Sequence, residues 1–303
     1  MSDSPDVELP RGVALAWGIA SSPQRGPKRE MSVEKIVDAA VAIADAEGLG
    51  AVSMAAVAAR LGFTPMSLYR YVTAKDDLLL LMQEQATGLP PEEVREVDGW
   101  REKLQVLYGA QMHRYLEHPW LLEVPITGAP ATPNSAAWID AGLVALDGTP
   151  LTHDERMAVS LLVAGHARWA GMVTVGYART QGAAGVDESQ FAAREDALFR
   201  DLITADAYPA LRAAIDAGVF LGDSDPFAFG LARSLDGVAA YLAGAEEGRR
   251  DAPIAWPRDD NADIAGDKRF RDARKAVHAA EKALRDARRL ERVAAREAKS
   301  RLG

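Results

Sequence analysis

The sequence predicts an all-α protein: an N-terminal three-helix helix-turn-helix unit followed by a larger helical domain. Three observations carry that expectation. Apolar residues recur at three- and four-residue spacing through most of the chain, proline and glycine gather between those runs, and alternating strand patterns are few. With 303 residues, 48% of them hydrophobic and 26% charged, the chain can bury a sizeable core, and its length suits about two domains. It has no cysteine, which excludes disulfide frameworks, cysteine-bound metal centres and thiol nucleophiles.

Residues 1–30 read as a flexible basic arm. Pro5, Pro10, Pro23 and Pro27 interrupt helices, and Arg25-Gly26-Pro27-Lys28-Arg29 is basic and extended. Met1 to Glu8 is acidic, and the apolar run Val13 to Ala20 has no basic leader, so no secretory signal is expected and the protein is placed in the cytoplasm. Helical signals then begin. Ser32 can cap a helix whose apolar positions Ile36, Val37, Ala40, Val41 and Ala44 keep the 3.6-residue period, and Gly48 with Gly50 ends it. Ser53 caps a run from Met54 to Leu61 that stops at Gly62. Thr64 opens a third run, Pro65 to Val72, with proline at the tolerated first position. A fourth runs from Lys75 to about Ala86.

Beyond Pro90-Pro91 the helical segments expected are 99–117, 134–146, 153–179, 188–203, 206–216, 225–247 and 267–301, with breaks at 125–133, 147–150 and 180–186. The domains expected are an arm (1–30), a helix-turn-helix domain (31–75), a helical domain (76–250), and a linker with a charged helix (251–303). The helix from Lys75 is the expected hinge, as the direct connection between the two domains.

Charge is uneven. The chain carries a net −9, yet residues 9–75 sum to +3 and 267–303 to +7, leaving −19 for the rest. A basic end is where an anionic polymer would bind.

The turn Leu61-Gly62-Phe63-Thr64 between two short helices has helix-turn-helix form. Met54, Val57, Ala58 and Leu61 face inward and meet Leu68 and Val72. Pro65, Met66, Ser67, Tyr69, Arg70 and Tyr71 are left outward or lateral. In a major groove, Ser67 can bond base edges, Arg70 can pair with guanine O6 and N7, and Pro65 with Met66 can press on a thymine methyl. Tyr69, Tyr71 and Lys75 suit phosphates, and Ser53 and Thr64, at helix starts, join the candidate contact set. Arg25, Lys28 and Arg29 could follow a minor groove; a solvated tail is the alternative.

Residues 32–85, above all AAVAARLGFTPMSLYRYVTAKDDLL, resemble the DNA-binding domain of the TetR family of repressors. The family pattern runs LG, a variable stretch, then L-Y-x-[HY]-[FV]-x-x-K-x-x-L. Leu61-Gly62, Leu68-Tyr69-Arg70-Tyr71-Val72, Lys75 and Leu78-Leu79 fall on it in register. The arm is similar to that of an actinobacterial subgroup related to the tetracycline repressor. The resemblance implies a homodimeric repressor that binds a palindromic operator in double-stranded DNA and is released by a small-molecule effector bound in the second half. A helical ligand-sequestering protein with a vestigial DNA-binding unit is the alternative.

In that second half Met112, His113, Trp120, Trp138, His166, Trp169 and Met172 are the candidate ligand-binding side chains, with core packing as the competing role. His113 and Glu117 share a helix face but do not form the metalloprotease pattern. No phosphate loop, nucleophile elbow or dinucleotide fingerprint is present. No enzymatic activity, cofactor or metal is therefore expected. Residues 157–178 are apolar enough for a membrane span but carry His166 and Arg168 at their centre, so a buried or interface helix is expected and no membrane partner. Val159, Leu162, Val163, Trp169, Met172, Val173 and Val175, with Phe227, Phe229, Leu231, Leu235, Val238 and Leu242 of 225–247, are the expected dimer surface, with an internal core pair as the alternative. At the C-terminal end Phe270, Ala273, Val277, Ala280, Leu284 and Ala287 form a short heptad seam that Glu291 interrupts. Acids interspersed with the bases favour packing on its own chain or a partner over a second DNA contact.

Overall fold

Helix formation starts inside the stretch expected to be an arm. Residues Arg11–Ala16 form α1, with Pro10 at the cap and Val13 buried. The prolines at 5, 10, 23 and 27 leave 11–22 free of proline, room enough for a short helix that gains an apolar contact. The computed structural model describes residues 9–20, 31–126, 131–222, 224–250, 261 and 263–302. Arg25, Lys28 and Arg29 lie outside the described residues.

Next come α2 (Val33–Glu47), a 3-10 turn (Leu49–Ala51), α3 (Met54–Leu61), α4 (Pro65–Leu68) and α5 (Lys75–Thr87). Ser32 and Ser53 cap α2 and α3 as expected, their hydroxyls accepting from the Lys35 and Ala56 N–H groups at 3.3 and 3.1 Å. The third run is shorter than its periodicity suggested. Regular helix ends at Leu68, and Tyr71 and Val72 both donate to the Leu68 carbonyl, so the last residues close as tight turns.

The rest of the chain supplies α6 (Glu93–Glu96), α7 (Trp100–Glu117), a 3-10 turn (Pro119–Glu123), α8 (Pro133–Ala145), α9 (His153–Ala184), α10 (Glu188–Leu202), α11 (Pro209–Asp216), α12 (Pro226–Glu246) and α13 (Lys268–Leu302). No strand occurs among the described residues. The break expected over 180–186 falls only at its end: α9 continues to Ala184 and stops on left-handed Gly185. Its start is held by a capping box between Thr152 and Glu155.

The chain divides after Arg250 into two compact units, the second containing α13. Within the first unit lie two apolar clusters. One gathers α2, α3, α4 and α5 around Ile36, Val57, Leu68, Val72 and Leu78, and is completed by Trp120, Leu121 and Val124 from the second 3-10 turn. The other joins α7, α8, α9 and α12 around Leu104, Leu146 and Leu235. Completion of the first cluster from residue 120 onward corrects the expectation that α5 alone links the two halves. Trp120 Nε1 donates to Asp45 Oδ1 of α2 at 2.7 Å, and His118 Nδ1 lies 2.8 Å from the same oxygen.

α9 is the one described helix long and apolar enough, by length and composition, to cross a membrane. Its central Arg168 is spent inside the protein, donating to the carbonyls of Leu122 and Val124 at 3.0 and 2.9 Å. A charged donor thus satisfies a 3-10 turn whose own carbonyls lack helical partners.

Candidate DNA-reading helix and ligand cavity

The reading unit is built from its buried side. Leu68 and Val72 are fully buried against Val57 and Ala58, which fixes α4 across α3. Gly62 makes the turn at φ +76°, a left-handed conformation that costs a glycine little and other residues about 1 to 2 kcal/mol. Burying those two side chains leaves the opposite face outward: Pro65, Met66, Tyr69 and Arg70 are exposed, Met66 at 75%. Met66 is therefore not spent on core packing.

Three candidate residues, Ser53, Ser67 and Tyr71, take more restricted roles than the sequence suggested, and Thr64 and Lys75 do not. Ser53 spends its hydroxyl as a cap on α3. The Ser67 hydroxyl donates to the Thr64 carbonyl at 2.6 Å, so it can offer a base edge only its lone pairs. Thr64 is exposed at the α4 cap position without a side-chain cap bond. Tyr71 is half-buried against the first apolar cluster, leaving its ring less free than that of Tyr69. Lys75 is exposed at the first position of α5.

Above this unit lies a cavity of about 480 Å³. Apolar walls come from Leu104 and Leu107 of α7, Leu121, Trp138 and Ile139 of α8, and Met157 and Val163 of α9. Polar groups are few: Gln83 and Thr87 at the end of α5, Gln111 and Arg114 of α7, Tyr115, Ser135 and Ser160. The Gln111 Oε1 is buried without a hydrogen-bond partner. Burial pushes the Tyr115 phenol above its ordinary pKa, against the opposing pull of Arg168, so it stays protonated and able to donate.

Of the seven side chains nominated as ligand-binding, only Trp138 lines this cavity. Trp120 is buried in the first apolar cluster with its indole on Asp45. His113 is exposed beside Glu117, and Met112 is half-buried outside the lining. His166 Nε2 is 2.8 Å from the Phe227 carbonyl, and its ring lies against Tyr108 and Phe227. Trp169 and Met172 are about half exposed, at 58% and 48%. The signal that would have found the lining was the spacing Leu104, Leu107, Gln111, Arg114, an inward stripe on α7.

The cavity is joined to the reading unit through two sets of bonds. Trp138 Nε1 donates to the Gly88 carbonyl at the end of α5 at 3.0 Å, and Asn134 of α8 donates from its backbone and side chain to Glu84 of α5 at 2.8 Å each. Leu121 lines the cavity next to Trp120, whose bond to Asp45 reaches α2.

A small helix-turn-helix head with an exposed reading turn, joined to a helical body that encloses an apolar cavity, defines a DNA-binding regulator of the one-component type. Residues 36–82 match the bacterial regulatory proteins of the tetR family, and residues 91–242 match the tetracyclin repressor-like C-terminal domain. The HTH-type transcriptional repressor DrrR1 of Streptomyces coeruleorubidus is 32% identical over 242 residues, covering 78% of this chain and 87% of that protein. The chain belongs to the TetR family of transcriptional regulators. The same fold is seen in apo ActR from Streptomyces coelicolor, 23% identical, with a TM-score of 0.57 over 74% of this chain and 100% of that one. ActR in complex with actinorhodin is 21% identical, with a TM-score of 0.54 over 71% and 96%.

Proposed function

We propose that the protein is a homodimeric, cytoplasmic transcriptional repressor that binds a palindromic operator and leaves it when a small molecule fills the cavity. The carrying observation is the position of Trp138, which is at once a wall of the cavity and the donor to the end of α5. α5 begins at Lys75, three residues after the reading unit's buried Val72, and spans about 20 Å at 1.5 Å per residue. A ligand that moves Trp138 therefore acts on a lever whose far end carries the reading turn. The ligand must favour one position of that lever, since equal affinity for both states shifts nothing.

The lining suits a mainly apolar effector with at least one hydrogen-bond donor to meet Gln111 Oε1. DrrR1 is named a repressor and ActR has been crystallised with actinorhodin, which agrees with repression and release here. Base reading falls to Arg70, with Met66 and Pro65 on thymine methyls, Ser67 as an acceptor, and Tyr69, Tyr71, Lys75, Thr64 and Ser53 toward the backbone. Val163, Leu231, Leu235, Val238 and Leu242 of the expected dimer surface are buried in this chain's own second apolar cluster, so the surface for a second copy narrows to exposed Leu162, Trp169 and Met172 on α9 and Phe229 on α12.

Selection of operators from a random duplex pool tests the reading. A palindrome with half-sites about one helical turn apart, roughly 34 to 36 Å, is expected. A pool that yields no preferred sequence would instead favour the ligand-sequestering alternative.

A further inference from the structure

α13 sorts its charges by face. Along the sequence between Arg271 and Arg289 acids and bases are interspersed, but at about 100° per residue six of the seven Lys and Arg side chains, Arg271, Arg274, Lys275, Lys282, Arg285 and Arg289, fall within an arc of roughly 100°, and Arg288 falls outside it. His278 lies in the same arc and fills the gap between Lys275 and Lys282 at helical spacing. Asp272, Glu281 and Asp286 all fall outside it. The six basic side chains are exposed, and no described ion pair joins any of them to a carboxylate. Glu281 is engaged instead with His278, at 3.4 Å.

The stripe is about 27 Å long at 1.5 Å per residue, the length of roughly eight base pairs. Four of its six bases are arginines, whose planar fork meets phosphate oxygens in pairs. The opposite face alternates Ala273, Ala280 and Ala287 with Phe270, Val277 and Leu284. Alanine lets a helix persist in water while offering little bulk to a bilayer. α13 also lies beyond residue 242, where the family match ends, so it is outside the machinery shared with relatives.

We propose that α13 is a second DNA-contacting element, a backbone clamp that holds the phosphates of duplex DNA without regard to sequence. This rests on duplex DNA being the ligand of the chain, and it replaces the expectation drawn from interspersed acids. With the remainder of the chain at −19 outside its two basic ends, the stripe offsets the repulsion that an acidic body meets near DNA.

The test uses the full chain carrying Arg271→Gln, Lys282→Gln, Arg285→Gln and Arg289→Gln, with circular dichroism to confirm unchanged helicity. Binding to a short non-operator duplex is followed by anisotropy between about 50 and 200 mM salt. The slope of log K against log salt should flatten by roughly 2 to 4, removing about 16- to 250-fold of the salt-driven loss over that fourfold range. Replacing the three arginines by lysine keeps the charge and should keep the slope. Superposable lines for the wild type and the glutamine variant overturn the proposal. So does binding to phosphatidylserine vesicles that the glutamine variant loses while its DNA slope stays unchanged. Arg70→Ala separates this proposal from the operator reading, because it should relax preference at one operator position and leave the slope difference intact.

Discussion

Trp120 and Asp45 stand 75 residues apart in sequence and meet through a 2.7 Å bond from the indole to the carboxylate, which also faces His118. The indole is 1% exposed, so its N–H has no access to water if the acceptor is lost. Asp45→Ala should therefore destabilise the protein by about 1 to 3 kcal/mol, the cost of leaving a buried donor unmet. Urea unfolding measures this, and Trp120→Phe combined with Asp45→Ala should recover part of the loss. Full additivity of the two substitutions would show the pair uncoupled.

Arg70→Ala should weaken operator binding by about 1 to 3 kcal/mol and relax preference at one base position. Lys75→Ala should weaken every sequence alike, since phosphate contacts carry no base information. Competition between single-substituted operators distinguishes the two patterns.

Trp138→Phe keeps an aromatic wall but removes the donor to the Gly88 carbonyl. An aromatic dye that enters the cavity should still bind, within about threefold, while any effector's ability to release operator drops. Loss of dye binding without loss of release would reverse these roles. The stability cost should be about 0.5 to 1.5 kcal/mol.

Trp169→Glu places a carboxylate on the exposed stripe of α9, where the wild-type side chain is 58% exposed. Sedimentation at micromolar concentration should then show monomers and an unchanged melting temperature per protomer fold. A variant that remains dimeric places the interface elsewhere.

Glu155 gives the fold a specific acid sensitivity. The Tyr241 hydroxyl, the Thr152 backbone N–H and Arg250 all donate to it and hold its pKa at about 2, below the ordinary 4.5. The charged form is favoured by folding, so its contribution is present in full above pH 4.5 and is lost as pH falls toward 2. Melting curves of wild type and Glu155→Gln should converge across that window. Parallel curves would show that the contacts carry no linked proton.

Helix positions were legible where a side chain near in sequence does the capping. Ser32 and Ser53 announce α2 and α3, and the three-to-four spacing of buried residues follows from them. The reading turn was legible for the same reason: its buried Leu68 and Val72 dictate which neighbours face out. The cavity was not. Its walls come from five separate segments between Gln83 and Ala164, and of the tryptophans, histidines and methionines chosen by residue type only Trp138 lines it, the others lying in the core or at the surface. Arg168 shows the limit plainly, because the carbonyls that satisfy it belong to residues more than forty positions earlier.

The contact of α1 with α5 has a practical side. The Gly12 N–H donates to Asp77 Oδ1 at 2.8 Å, and a Cβ at Gly12 would stand 2.9 Å from that oxygen and 3.2 Å from the Asp77 backbone. The indole of Trp17 donates to the Ala131 carbonyl at 2.7 Å, close to where α8 begins. One six-residue helix and the residue that follows it therefore touch both α5 and the segment leading into α8. A purification tag or fluorescent protein fused just ahead of residue 11 would load this junction, whereas the same cargo placed within α11 would hang from a helix remote from both. Apparent induction strengths measured with amino-terminal fusions should be read with that mechanical load in view.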